Sequence, residues 1–105
     1  MTETQLKIKV LNYLKENHPQ YWVYKTHDFS HSGIPDLLLC ADKGHMVAIE
    51  LKSGKDDYTK RKGWKIQKYM LDRINAAGGT AGVARSVDDV KKILDKVQDE
   101  RIIKE

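Results

Sequence analysis

Two short apolar runs, each carrying charge at one end, constrain this chain more than anything else in it. Leu37-Leu38-Leu39 follows Gly33-Ile34-Pro35-Asp36, and Met46-Val47-Ala48-Ile49 leads into Glu50-Leu51-Lys52. Runs this short and this apolar read as buried strands. Alternate residues of a strand share a face, about 7 Å apart, so Glu50 and Lys52 point one way and Leu51 the other. Between the runs, Asp42-Lys43-Gly44-His45 suits a hairpin turn, and pairing of the runs sets Asp36 beside Glu50. Pro35 has no N–H to give a ladder, so it belongs at a strand's first residue or edge and fixes the entry just before Asp36.

Charge at the end of a buried strand is costly unless it is paired or bound to metal. Two carboxylates and an ammonium meeting at one point suit a hard cation such as Mg²⁺, which keeps several waters and meets a substrate phosphate. On this reading Asp36 and Glu50 are direct ligands. The backbone carbonyl of Leu51, between two site side chains, is a third. The ammonium of Lys52 stands where a phosphate oxyanion develops or orients the attacking water. The bland alternative is a set of strand-end surface charges.

The rest of the chain supplies a frame. At 105 residues it has room for one domain, residues 1–105. Leu6, Val10, Leu11 and Leu14 recur at helical spacing over residues 3–17, and His18-Pro19 closes that helix. Residues 21–27 are β-prone, and residues 36–41 and 46–52 form the next two strands. A helix over 61–77 carries an Ile66, Met70, Ile74, Ala77 stripe and stops at Gly78-Gly79. A fourth strand spans 80–85. Ser86 with Asp89 resembles a capping box before a last helix built on Val90, Ile93, Leu94 and Val97, and the charged tail from Asp99 is free to fray. The order αβββαβα predicts an α/β fold with a mixed sheet flanked by helices.

The net charge of +4 and pI near 9.1 permit a nucleic-acid partner without demanding one. The distribution says more: Lys55, Lys60, Arg61, Lys62, Lys65 and Lys68 crowd the stretch after Lys52. Next to an acidic metal site, phosphate steering accounts for them better than a solvated face does. Tyr58 and Trp64 either stack on bases or pack at the helix edge. His27 and His31 have a ligand-like spacing, but their loop setting argues against zinc. The single cysteine, Cys40, excludes an internal disulfide. No apolar run approaches membrane-spanning length, and the chain starts without a leader-like segment, so a soluble cytoplasmic protein is expected.

Pro35-Asp36 followed by Glu50-Leu51-Lys52 resembles the signature of the PD-(D/E)xK nucleases. Gly33-Ile34-Pro35-Asp36, Gln67, and Ala76-Ala77-Gly78-Gly79 before Val83-Ala84-Arg85-Ser86 extend that resemblance to the VRR-Nuc branch. The resemblance implies a restriction-endonuclease-like core and an Mg²⁺-dependent DNA endonuclease, with Mn²⁺ as a substitute. Its substrates would be branched, four-way junctions or flaps, and a homodimer would match junction symmetry. It implies that Gln67 reaches Lys52 or the attacking water, and that Glu3 holds a second metal or a water of its shell. Ser32 and Gly33 would shape the loop nearest the phosphate backbone. Two other readings stand beside it: a non-catalytic nucleic-acid-binding module, and a nuclease subunit that works only with a partner protein.

Overall fold

The computed structural model describes residues 1–26 and 33–104, with side chains described up to residue 97 at that end. Ser32, His27 and His31, and the side chains of the charged tail, lie outside the described residues. Helix α1 spans Glu3–Asn17 and opens on a reciprocal cap. The Gln5 amide donates to Thr2 Oγ1 at 3.1 Å, and the Thr2 amide donates to Gln5 Oε1 at 2.9 Å. Strands β1 (Trp22–Lys25), β2 (Leu37–Cys40) and β3 (Met46–Leu51) follow, then helix α2 (Trp64–Ala76), strand β4 (Thr80–Ala84) and helix α3 (Val87–Lys104). The expected αβββαβα order stands.

The strands form one mixed sheet in the order β1-β2-β3-β4, with β1–β2 and β2–β3 antiparallel and β3–β4 parallel. A tight 3₁₀ turn, Asp42–Gly44, joins β2 to β3, and Lys43 and Gly44 take positive φ there. A parallel neighbour needs a crossover, and α2 supplies it. Val47, Ile49 and Leu51 of β3 join Leu6, Val10 and Leu14 of α1 and Val90, Leu94 and Val97 of α3 in the main core. The alternate residues of β3 face α2.

Helix α2 begins later than residue 61. Tyr58–Lys60 forms a separate 3₁₀ turn, and Gly63, with φ of 88°, sets the left-handed step into the helix at Trp64. Its buried face also differs from the expected stripe. Leu71 is the buried residue of α2, whereas Ile66 and Ala77 are exposed. The sheet-facing side is therefore set by Leu71, and Gln67, one turn earlier, shares it. Gly78, with φ of 100°, ends α2 as expected. Asn75 then pins the outer edge of β4: its side chain donates to the Ala81 carbonyl and accepts from the Ala81 amide.

Gly33 is the tightest contact in the frame. It is buried with φ of 70°, and a Cβ there would lie 2.8 Å from the Ile66 carbonyl oxygen. The segment leading to Asp36 therefore rests directly on the backbone of α2. Gly33→Ala combines a disfavoured φ with a backbone clash, so it is expected to destabilise the fold by about 2–4 kcal/mol. Urea unfolding followed by circular dichroism measures this.

Candidate active site

The register brings the charged residues together. Leu37 pairs with Ile49, so extending the antiparallel ladder sets Asp36 opposite Glu50 and Pro35 opposite Leu51. Proline has no N–H, and the ladder ends there. That leaves the Leu51 carbonyl without a ladder donor, and the Leu51 amide donates to Asp36 Oδ2 at 2.8 Å rather than to the Pro35 carbonyl. The N–H and C=O of one strand residue leave by the same edge, so the Leu51 carbonyl also faces the Asp36 side. Thr26, at the end of β1, holds the other flank. Its amide donates to the Asp36 carbonyl at 3.0 Å and its hydroxyl to the Pro35 carbonyl at 2.8 Å. Sequence reasoning missed Thr26, and nothing but its place at a strand end could have signalled it.

Glu50 and Lys52 are 4% and 6% exposed, which for charged side chains demands partners. Lys52 Nζ lies 3.2 Å from Glu50 Oε2 and donates to Gln67 Oε1 at 2.7 Å. Glu50 and Lys52 thus share the α2 face of β3, and Gln67 reaches down from the helix onto the ammonium. Asp36 stands opposite Glu50 across the ladder. Burial, then the Asp36 charge, pushes the Glu50 carboxyl up to about 8, with Lys52 opposing the rise.

Such a pair is an incomplete electrostatic unit. One ammonium faces two carboxylates in a desolvated place, and a divalent cation would let both ionise. The donor set is two carboxylate groups with the Leu51 carbonyl beside them. All are oxygens, the chemistry Mg²⁺ selects, and too few for an all-protein cage, which suits a cation that keeps waters and takes a phosphate oxygen. Among the described residues, no group of three or more His, Cys, Asp or Glu side chains is arranged to hold a metal.

Glu3 is placed differently from these. It lies at the start of α1, and Arg61 Nη1 donates to its Oε1 at 3.2 Å. Arg61 is the hub of a small network that also takes in Asp56, through Nε at 2.8 Å, and the Ser53 carbonyl, through Nη2 at 2.7 Å. These contacts, the Arg61 hydrogen bond first among them, hold the Asp56 carboxyl down at about 2. Arg61 is therefore engaged within the protein, whereas Lys55, Lys60, Lys62 and Lys65 are exposed on the same loop and the first turn of α2. Tyr58 and Trp64 pack edge-to-face on each other, 4.9 Å between ring centroids.

No protein-family profile matches the chain, and no curated protein matches it. A solved structure described as a VRR_NUC domain does, with a TM-score of 0.60 and 27% sequence identity, covering 90% of this chain and 97% of that one.

Without a metal, Glu50 binds a proton in the folded state at pH values where the unfolded chain, near its ordinary 4.5, has lost it. The folded state then holds more protons than the unfolded, so stability falls as pH rises from about 4.5 to about 8. Thermal melts of metal-free protein should show Tm dropping across that window. Glu50→Gln should flatten the drop and raise Tm at pH 8 by about 5–10 °C, since each kcal/mol moves a domain of this size by about 4–8 °C.

Proposed function

Since the chain is a VRR-Nuc-type domain, sharing that fold along most of its length, we propose that it is an Mg²⁺-dependent DNA endonuclease acting on branched substrates. The observation that carries this is the meeting of Asp36, Glu50 and Lys52 at the end of β3. Asp36, Glu50 and the Leu51 carbonyl would hold the cation. Once bound, Mg²⁺ supplies a water of lowered pKa and neutralises charge on the scissile phosphate.

The chain's own residues do the remaining work. Lys52 presents a fixed ammonium where negative charge builds on the phosphoryl oxygens. Gln67, accepting from Lys52 Nζ, holds that ammonium in one orientation and keeps it from collapsing wholly onto Glu50. Thr26 and the Leu51 amide hold Asp36 from both sides. Burial of Glu50 and Lys52 strengthens each of these interactions. Lys55, Lys60, Lys62 and Lys65 draw the phosphate backbone toward the site, a contribution that falls with salt. Contacts to phosphates position a duplex without reading its bases, so shape and backbone geometry govern the domain's choice of substrate.

A second copy completes the reading for a four-way junction. Strand β1 is a sheet edge bearing exposed Trp22 and Tyr24, stacked with an interplanar angle of 3°. An apolar groove of about 710 Å³ lies between it and α1. An edge strand of this kind pairs antiparallel with its own copy about a two-fold axis. The solution mass should then be twice the 12.1 kDa of the chain, and Trp22→Glu with Tyr24→Glu should return it to the monomer value.

Cleavage assays on a synthetic four-way junction and a flap, with Mg²⁺, Mn²⁺ or EDTA, test the catalytic reading. Asp36→Ala and Lys52→Ala should each lower the rate by about 10³-fold or more, the cost of losing a charged stabiliser in such a site. Gln67→Ala should cost about 10-fold, since it acts through Lys52. Binding without metal-dependent cleavage would select a non-catalytic module, and activity that appears only with an added protein would select a partner-dependent subunit.

A further inference from the structure

Beyond the loop lysines, a second basic feature lies where the end of β4 meets α3. A notch of about 260 Å³ is lined by Tyr58, Val83, Arg85, Asp89, Lys92 and Lys96. Lys92 and Lys96 are exposed, one helical turn apart on α3, so both ammonium groups overhang the same notch. Arg85 forms its wall and is held in place: Nη1 donates to the Asp56 carbonyl at 2.7 Å, and the guanidinium lies 5.2 Å from the centre of the Tyr58 ring. Arg85 Nε is buried with no hydrogen-bond partner among the described residues, an unusual state for a charged donor. The carboxylates nearby have other work. Asp89 Oδ2 accepts the Arg85 amide at 2.8 Å, and Asp56 is bound mainly by Arg61, with Arg85 Nη2 at 3.5 Å.

We propose that the Arg85–Lys92–Lys96 notch is a phosphate-binding subsite that grips the DNA at a phosphate other than the scissile one. Its position supports this. Arg85 directly follows Ala84, whose carbonyl accepts the Lys52 amide at 3.1 Å, so the notch begins one strand away from the candidate catalytic lysine. Neighbouring strands lie about 4.8 Å apart, close enough for one substrate to span both places. A concave site with a fixed guanidinium and two exposed lysines fits a tetrahedral dianion or a backbone phosphodiester. It positions DNA and does not touch the reacting atoms.

The proposal rests on the nuclease reading for its substrate, and its test is a binding measurement that needs no cleavage. Fluorescence anisotropy of a labelled junction in Ca²⁺ is recorded across a salt series for wild type, Lys92→Ala/Lys96→Ala, and a control with the same charge change, Lys7→Ala/Lys9→Ala on α1. Losing two phosphate contacts should flatten the slope of log K against log salt by about 1.4–1.8, and the control should change it by less than half as much. Circular dichroism melts confirm that these surface variants fold. Repeating the titration with and without a 5′-phosphate distinguishes the source: an equal loss on both assigns an internal phosphodiester, and a loss confined to the phosphorylated strand assigns a terminal phosphate. A wild-type slope in the notch variant, or a change matched by the control, overturns the subsite alone. A wild-type protein that binds no DNA overturns both the subsite and the substrate reading.

Discussion

A hydrogen bond from the Leu51 amide to the Asp36 carboxylate is the contact on which the site depends. It occurs where the β2–β3 ladder would otherwise continue, and where Pro35 has no N–H to continue it. A side chain takes over the role of a backbone partner, and by doing so draws one carboxylate to the end of the strand that carries the other. The N–H that Pro35 lacks would have gone to the Leu51 carbonyl, so the proline leaves that carbonyl without a ladder donor. The Leu51 amide turns to Asp36, while the Pro35 carbonyl accepts from the Thr26 hydroxyl.

The consequence is a charge imbalance the fold tolerates only in part. Glu50 is buried beside Asp36, and a single ammonium from Lys52 is shared between Glu50 and Gln67. Buried ion pairs are weak sources of stability, because desolvation offsets much of their attraction. A third charge of the wrong sign makes this one weaker still. The domain carries this cost with a core on the opposite face of the sheet, where Val47, Ile49 and Leu51 point away from Ala48 and Glu50 along the same strand. One strand thus anchors the core with one face and carries Glu50 at the end of the other.

Much of this was legible in the sequence. Apolar runs with charged ends, a proline before the aspartate, and a glycine-bearing turn specified β2, β3 and the meeting of Asp36 with Glu50 and Lys52. The fold order was also readable from helical spacing and the glycine stops. The orientation of α2 was less so, because Ile66, Met70 and Ile74 look like a core stripe while the helix in fact buries Leu71. A helix crossing the open half of a sheet leaves some of its large apolar residues near solvent, and composition does not register that. The long-range ties of Arg61 to Glu3 and of Arg85 to Asp56 were equally silent, since each joins residues far apart in the chain without any local pattern.

The crossover helix has an implication for how such a chain can vary. Gln67 and Leu71 sit one turn apart, so the residue that steadies Lys52 and the residue that seats the helix are locked in phase. Each added residue turns a helix by about 100°; an insertion between these two would swing the amide away from the ammonium while leaving the helix docked. The loop before α2, by contrast, can lengthen or shorten without altering that phase. A change of length in the lysine-bearing segment therefore leaves the Lys52–Gln67 contact with its dimensions.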